Sequence, residues 1–131
     1  LFARIGDDAK PALYFADGWV ANYGKEAKAV LKRLSWTAKG FSSSLVGSSP
    51  KEFTFFDLQA VDIDGDGKLE IAARGNEQMT IFERAGGKWS QWTAARFEPV
   101  VNVAIGRGGD GVWRVFIPGD AGARSVTVVK P

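Results

Sequence analysis

The stretch Asp62-Ile63-Asp64-Gly65-Asp66-Gly67-Lys68-Leu69-Glu70 places carboxylates at the first, third, fifth and ninth positions of one short loop. Calcium takes six to eight oxygen ligands at about 2.3–2.6 Å, and alternate aspartates followed by glycine supply several of them within a single turn. Asp62, Asp64 and Asp66 are expected to point inward, and Glu70 adds a fourth acid. Gly67 permits the bend that turns the Lys68 carbonyl toward the ion. Carboxylates this dense repel one another unless a cation neutralises them. A Ca2+ site built from Asp62, Asp64, Asp66, Lys68 and Glu70 follows.

The elements around the loop decide what kind of site it is. An EF-hand needs a bidentate Glu at position twelve and a helix on either side, but position twelve is Ala73. Upstream, Phe53–Val61 is rich in aromatic and branched residues; downstream, Leu69, Ile71 and Ala73 alternate with Lys68, Glu70 and Ala72. Both flanks read as strands. A plain solvated Asp-Gly hairpin turn is the alternative, and it leaves the register of the acids unexplained. The strand–acidic loop–strand arrangement resembles the FG-GAP/VCBS-type repeat, the calcium-loop blade of integrin-like β-propellers. That family usually carries Asp where this chain has Glu70, a departure that lengthens the side chain and keeps its charge. The resemblance implies the same ligands, Asp62, Asp64, Asp66, Glu70 and the Lys68 carbonyl.

Internal repetition supports the same class. Ala60–Gly67 aligns with Ala104–Gly111, and the strands Lys68–Ala73 and Val112–Ile117 follow correspondingly. In the second copy Asp62, Asp64 and Glu70 become Gly106, Gly108 and Arg114, so no calcium is expected there. A fainter copy, Ala3–Pro11 before Ala12–Ala16, has Lys10 and Pro11 in place of Asp66 and Gly67. Behind the loops, Leu31–Phe41 resembles Thr80–Trp89: strand, glycine turn, aromatic. The expected fold is one all-β domain, a propeller-like array of about three antiparallel blade units at 1–49, 50–97 and 98–131. Closed propellers have about four to eight blades, and the third unit lacks an outer strand, so the array is expected to be open or incomplete. Lys25–Leu34 carries a competing helical pattern, with Ala27, Val30, Leu31 and Leu34 at helical spacing. Repeat alignment favours a strand over its second half.

Composition narrows the function. The 131 residues contain no histidine and no cysteine, which removes the usual general base, the thiol nucleophile and the common zinc ligands. The only dense group of acids is committed to the loop, so no enzyme is expected. Gly106–Gly111 matches G-x-G-x-x-G, but the Val112–Ile117 strand follows where dinucleotide binding needs a helix. Arg107-Gly-Gly-Asp110 carries one glycine too many for an RGD tripeptide. The net charge of +2 is scattered, with a modest cluster at Lys25, Lys28, Lys32 and Arg33, and no stripe suited to nucleic acid. No apolar run approaches the ~18–20 residues of a membrane span. The five tryptophans, Trp19, Trp36, Trp89, Trp92 and Trp113, read as packing between blades rather than as sugar platforms. A calcium loop, and a first residue Leu1 without Met, suit a mature form that is periplasmic or secreted. The expected function is non-catalytic binding of a protein partner, as for an inhibitor or immunity protein of a secreted bacterial enzyme. A carbohydrate-binding, lectin-like array is the alternative.

Overall fold

The computed structural model describes residues 1–17, 28–99 and 102–131, and among these described residues it has eleven strands and no helix. Trp19, Lys25 and the beginning of the Lys25–Leu34 pattern lie outside the described residues. The first sheet is an antiparallel meander of β1 (Phe2–Ala3), β2 (Ala12–Asp17), β3 (Ala29–Thr37) and β4 (Gly40–Ser49). The second repeats that order with β5 (Asp57–Val61), β6 (Glu70–Arg74), β7 (Gln78–Ala85) and β8 (Lys88–Arg96). The third has three strands, β9 (Ala104–Arg107), β10 (Trp113–Ile117) and β11 (Arg124–Thr127). None of the three sheets closes on itself.

The repeats seen in sequence reappear as geometry. The third strand of each four-stranded sheet carries a register shift, at Leu31/Lys32 and at Met79/Thr80. Gly67 and Gly111, aligned in sequence, share left-handed φ values of 83° and 79°. Residues 29–34 form strand, not helix. Ala29 and Leu31 are fully buried, and Leu34 pairs with both Leu13 and Ser43 across the sheet. Those lateral hydrogen bonds and the buried face outweigh the modest helix propensity of Lys and Leu. Upstream of the loop, the strand is shorter than Phe53–Val61. Phe53 and Phe56 stack edge to face at 5.3 Å, and Arg74 lies over Phe56 at 4.9 Å, before the ladder begins at Asp57.

Packing runs through the middle sheet. On one of its faces Ile71, Ala73 and Phe82 join Ile5, Tyr14, Leu31 and Val46 of the first sheet's side. On the other, Ala72, Met79, Ile81 and Ala95 join Val103, Ile105, Val115 and Ile117 of the third. Alternation along β6 sends successive side chains to opposite cores, which is why Glu70–Ala73 reads as an unbroken buried run. Burying both faces at about 25 cal/mol per Å2 of apolar surface makes this sheet the main source of hydrophobic stabilisation.

One buried carboxylate helps hold the stack together. Glu52 is fully buried and accepts N–H bonds from Asn76, a short contact at 2.5 Å, and from Glu77 at 3.1 Å, closing the β6–β7 turn. Burial pushes its carboxyl above the ordinary range, and the two backbone donors oppose that rise. At the first-to-second sheet contact, Asp8 accepts from the Tyr14 hydroxyl at 2.9 Å and pairs with Arg84 at 2.9 Å and Arg33 at 3.4 Å. Burial, followed by that hydrogen bond to Asp8, pushes Tyr14 to about 12.

Candidate metal centre

The loop between β5 and β6 leaves the centre of the molecule and is clamped from both sides. The Gly6 amide donates to the Leu69 carbonyl at 2.8 Å, tying the loop to the first sheet. From the third sheet, the Trp113 indole N–H donates to the Asp62 carbonyl at 2.8 Å. Inside the loop the acids bind backbone: Asp62 Oδ2 accepts from Gly67 at 3.1 Å and Asp64 Oδ1 from Asp66 at 3.2 Å. Asp66 Oδ1 accepts from Lys68 at 2.8 Å, and Glu70 Oε2 accepts from Ile63 at 2.9 Å. Gly65 and Gly67 adopt φ values of 77° and 83°, a region costly for residues with a Cβ.

These contacts bring Asp62, Asp64 and Glu70 together, each offering an oxygen within 4.8 Å of the others. Asp66 is not one of this group; its carboxylate lies 3.7 Å from the Lys68 ammonium, and both side chains are about half exposed. Asp62 Oδ1 is buried without a hydrogen-bond partner. A buried carboxylate oxygen left unpaired costs free energy, and an all-oxygen set with such an atom suits a hard cation. Glu70, 6% exposed, has its carboxyl pushed up to about 7, chiefly by burial and then by the charges of Asp64, Asp66 and Glu83. Like charges and desolvation are the load a bound cation would lift.

Two residues that sequence reasoning passed over belong to this environment. Ile71 pairs with Phe82, which puts Glu83 beside Glu70 at the same end of the sheet. Glu83 accepts the Trp92 indole N–H at 2.6 Å. Lys130 reaches Asp64 Oδ2 at 2.9 Å and Glu83 Oε2 at 3.1 Å. Its hydrogen bonds to Asp64 and then Glu83 raise it to about 12, and the same contact lowers Asp64. Cross-strand register places Glu83, and a count from Glu70 over the turn would have found it. Lys130 carries no local signal.

The related loop Gly106–Gly111 supplies a contrast. Asp110 is held bidentate by Arg114, at 2.6 and 2.9 Å, and the guanidinium keeps its carboxyl well below the usual range. Arg114 stands where Glu70 stands in the acidic loop, so an internal cation replaces the ligand. Among the other tryptophans, Trp89 packs edge-on to Tyr14 at 5.9 Å under Arg84, as packing between sheets predicts. Trp36 departs from that expectation. It is 72% exposed and stacks only on Phe41 at the β3–β4 hairpin end, 4.4 Å away. No helix among the described residues is long and apolar enough to cross a membrane. Comparison with known protein families, characterised proteins and solved structures gave no match, so the site is read from its own geometry.

Proposed function

We propose that the chain is a non-catalytic binding module of propeller-like build, exported to the periplasm or secreted, stabilised by one Ca2+ and engaging a protein partner. The observation that carries the metal reading is the convergence of Asp62, Asp64 and Glu70 around the orphaned Asp62 oxygen. Asp66 and the Lys68 carbonyl complete the ligand set as the family resemblance implies. The ion's contribution is charge neutralisation within a loop pinned to both neighbouring sheets, which is structural chemistry. The chain's lack of histidine and cysteine supports a role without catalysis.

The partner reading rests on the exposed aromatic face of the first sheet. Phe2, Trp36 and Phe41 are 71%, 72% and 69% exposed around a shallow groove of about 820 Å3 that also takes in Pro11, Leu13 and Leu34. Single exposed apolar residues are ordinary, whereas a contiguous patch marks a contact surface. An inhibitor or immunity protein of a secreted bacterial enzyme fits such a surface. The same exposed Trp36 ring supports the carbohydrate-binding alternative, and loss of glycan binding in Trp36→Ala is its test.

Thermal melting with chelator and with calcium tests the metal. Binding only the folded form adds about 2.7 kcal/mol at a hundredfold excess over Kd. Asp64→Ala is expected to abolish the calcium-dependent rise in melting temperature, and Asp110→Ala to leave it intact. A wild-type melting curve that chelator and calcium leave in place removes the reading.

A further inference from the structure

Three loops in this fold bring acids to the end of a sheet, and at each one a protein cation meets them. Asp8 has Arg33 and Arg84. Asp110 has Arg114, four residues away on the strand that leaves the same loop. The 62–70 loop draws its cation from 66 residues away: Lys130 Nζ sits 2.9 Å from Asp64 and 3.1 Å from Glu83. The guanidinium of Arg114 belongs to its own loop, whereas the ammonium of Lys130 arrives on a segment beyond β11. That segment is fastened nearby by the Val128 amide, which donates to the Trp113 carbonyl at 2.9 Å. The Lys130 side chain is 44% exposed, so it withdraws into water without crossing the core.

Resting on the metal reading above, we infer that Lys130 is a displaceable counter-ion of the acidic loop. Its ammonium neutralises Asp64 when no divalent cation is bound and leaves when one binds. Ion and ammonium both require Asp64, and as like charges a few ångströms apart they repel. Loop occupancy and the docking of Lys130 therefore exclude one another. Linkage then makes the tethered ammonium lower the apparent metal affinity by the fraction of chains in which it has let go. Glu83 loses the ammonium together with Asp64 and keeps the Trp92 indole hydrogen bond, so the metal-bound loop faces a carboxylate on β7 with one oxygen given up by Lys130.

The size of the effect follows from the exposure of the contacts. Partly exposed ion pairs are individually weak, and two acting together correspond to a factor of about three to ten. Lys130→Gln is therefore expected to bind calcium about three- to tenfold more tightly than wild type, by calorimetric titration at low ionic strength. Lys130→Arg, which keeps the charge, is expected to stay near the wild-type value. Melting supplies the second readout: Lys130→Gln melts below wild type in chelator, and the two curves converge in saturating calcium.

A merely structural ion pair predicts a different pattern, an equal loss of melting temperature with and without calcium and an unchanged affinity. Affinity of Lys130→Gln equal to or weaker than wild type overturns the inference while calcium binding itself stands. Absence of calcium uptake by both wild type and Lys130→Gln overturns the metal reading and the inference together. Uptake by Lys130→Gln alone supports both.

Discussion

Replacing Glu70 with glutamine in chelator-treated protein should stabilise the fold at pH 8 and change it little at pH 4.5. The Glu70 carboxyl sits at about 7 in the folded chain against 4.5 as its ordinary value, driven by burial and by Asp64, Asp66 and Glu83. A carboxyl raised in this way binds protons better in the native state than in the unfolded one. Its contribution to stability is therefore greatest at low pH, falls as the pH rises from about 4.5 to about 7, and is flat above. At about 1.36 kcal/mol per tenfold, the span from 4.5 to 7 amounts to on the order of 3 kcal/mol as an upper bound. Glutamine keeps a carbonyl oxygen for the Ile63 amide, which Glu70 now accepts at 2.9 Å, and turns a donor toward the neighbouring acids. Urea unfolding at the two pH values, in chelator throughout, measures the difference directly. Glu52, also raised, titrates in both proteins and drops out of the comparison. A variant less stable than wild type at pH 8, or one with the wild-type pH slope, would refute the reasoning.

Three further outcomes are expected. Glu52→Ala leaves the Asn76 and Glu77 amides without their buried acceptor, and should lower the unfolding free energy by about 2–4 kcal/mol, read in urea as a lower midpoint with little change in slope. Gly47→Ala drives a methyl into the Phe82 ring and the Gln91 side chain where the first two sheets meet. Scanning calorimetry should register a loss of about 1–3 kcal/mol from that overpacking. Phe82→Ala, at a fully buried ring, should cost about 3–5 kcal/mol, against about 0.5 kcal/mol or less for exposed Trp36→Ala; a similar cost at both sites would contradict the packing described.

Local chemistry was legible in the chain where it is written by neighbours in sequence. The aspartate spacing and Gly67 foretell a tight turn, and the turn brings Asp62, Asp64 and Glu70 together. Alternation likewise foretells β6, and the repeat alignment foretells β2 and β10 as strands. Legibility fails where distant partners decide. Residues 29–34 carry a helical spacing, but pairing with β2 and β4 makes them strand. Phe53–Phe56 are as strand-prone as Asp57–Val61, and a ring pair with Arg74 above it takes them out of the ladder. Lys130 and Glu83 reach the acidic loop from two other elements, and no window along the chain contains them with Asp64. Exposure of Trp36 depends on what packs over the β3–β4 hairpin end, which composition does not encode.

Because β6 and the first half of β7 are covered on both faces, their backbone amides have no local route to solvent. Opening either outer sheet exposes one face of β6 and β7 and leaves the other closed. Exchange at Ile71–Ala73 and Ile81–Phe82 therefore waits for the whole chain to unfold, while the short β1 and the outermost β11 exchange through fraying. Glu70 begins β6, so one carboxylate of the acidic loop is anchored to the slowest-exchanging part of the molecule, whereas Asp64–Asp66 lie exposed at its rim. A cation bridging the two would tie the exposed loop to the core, and the loop amides of Asp66, Gly67 and Lys68 would slow toward the rhythm of the core.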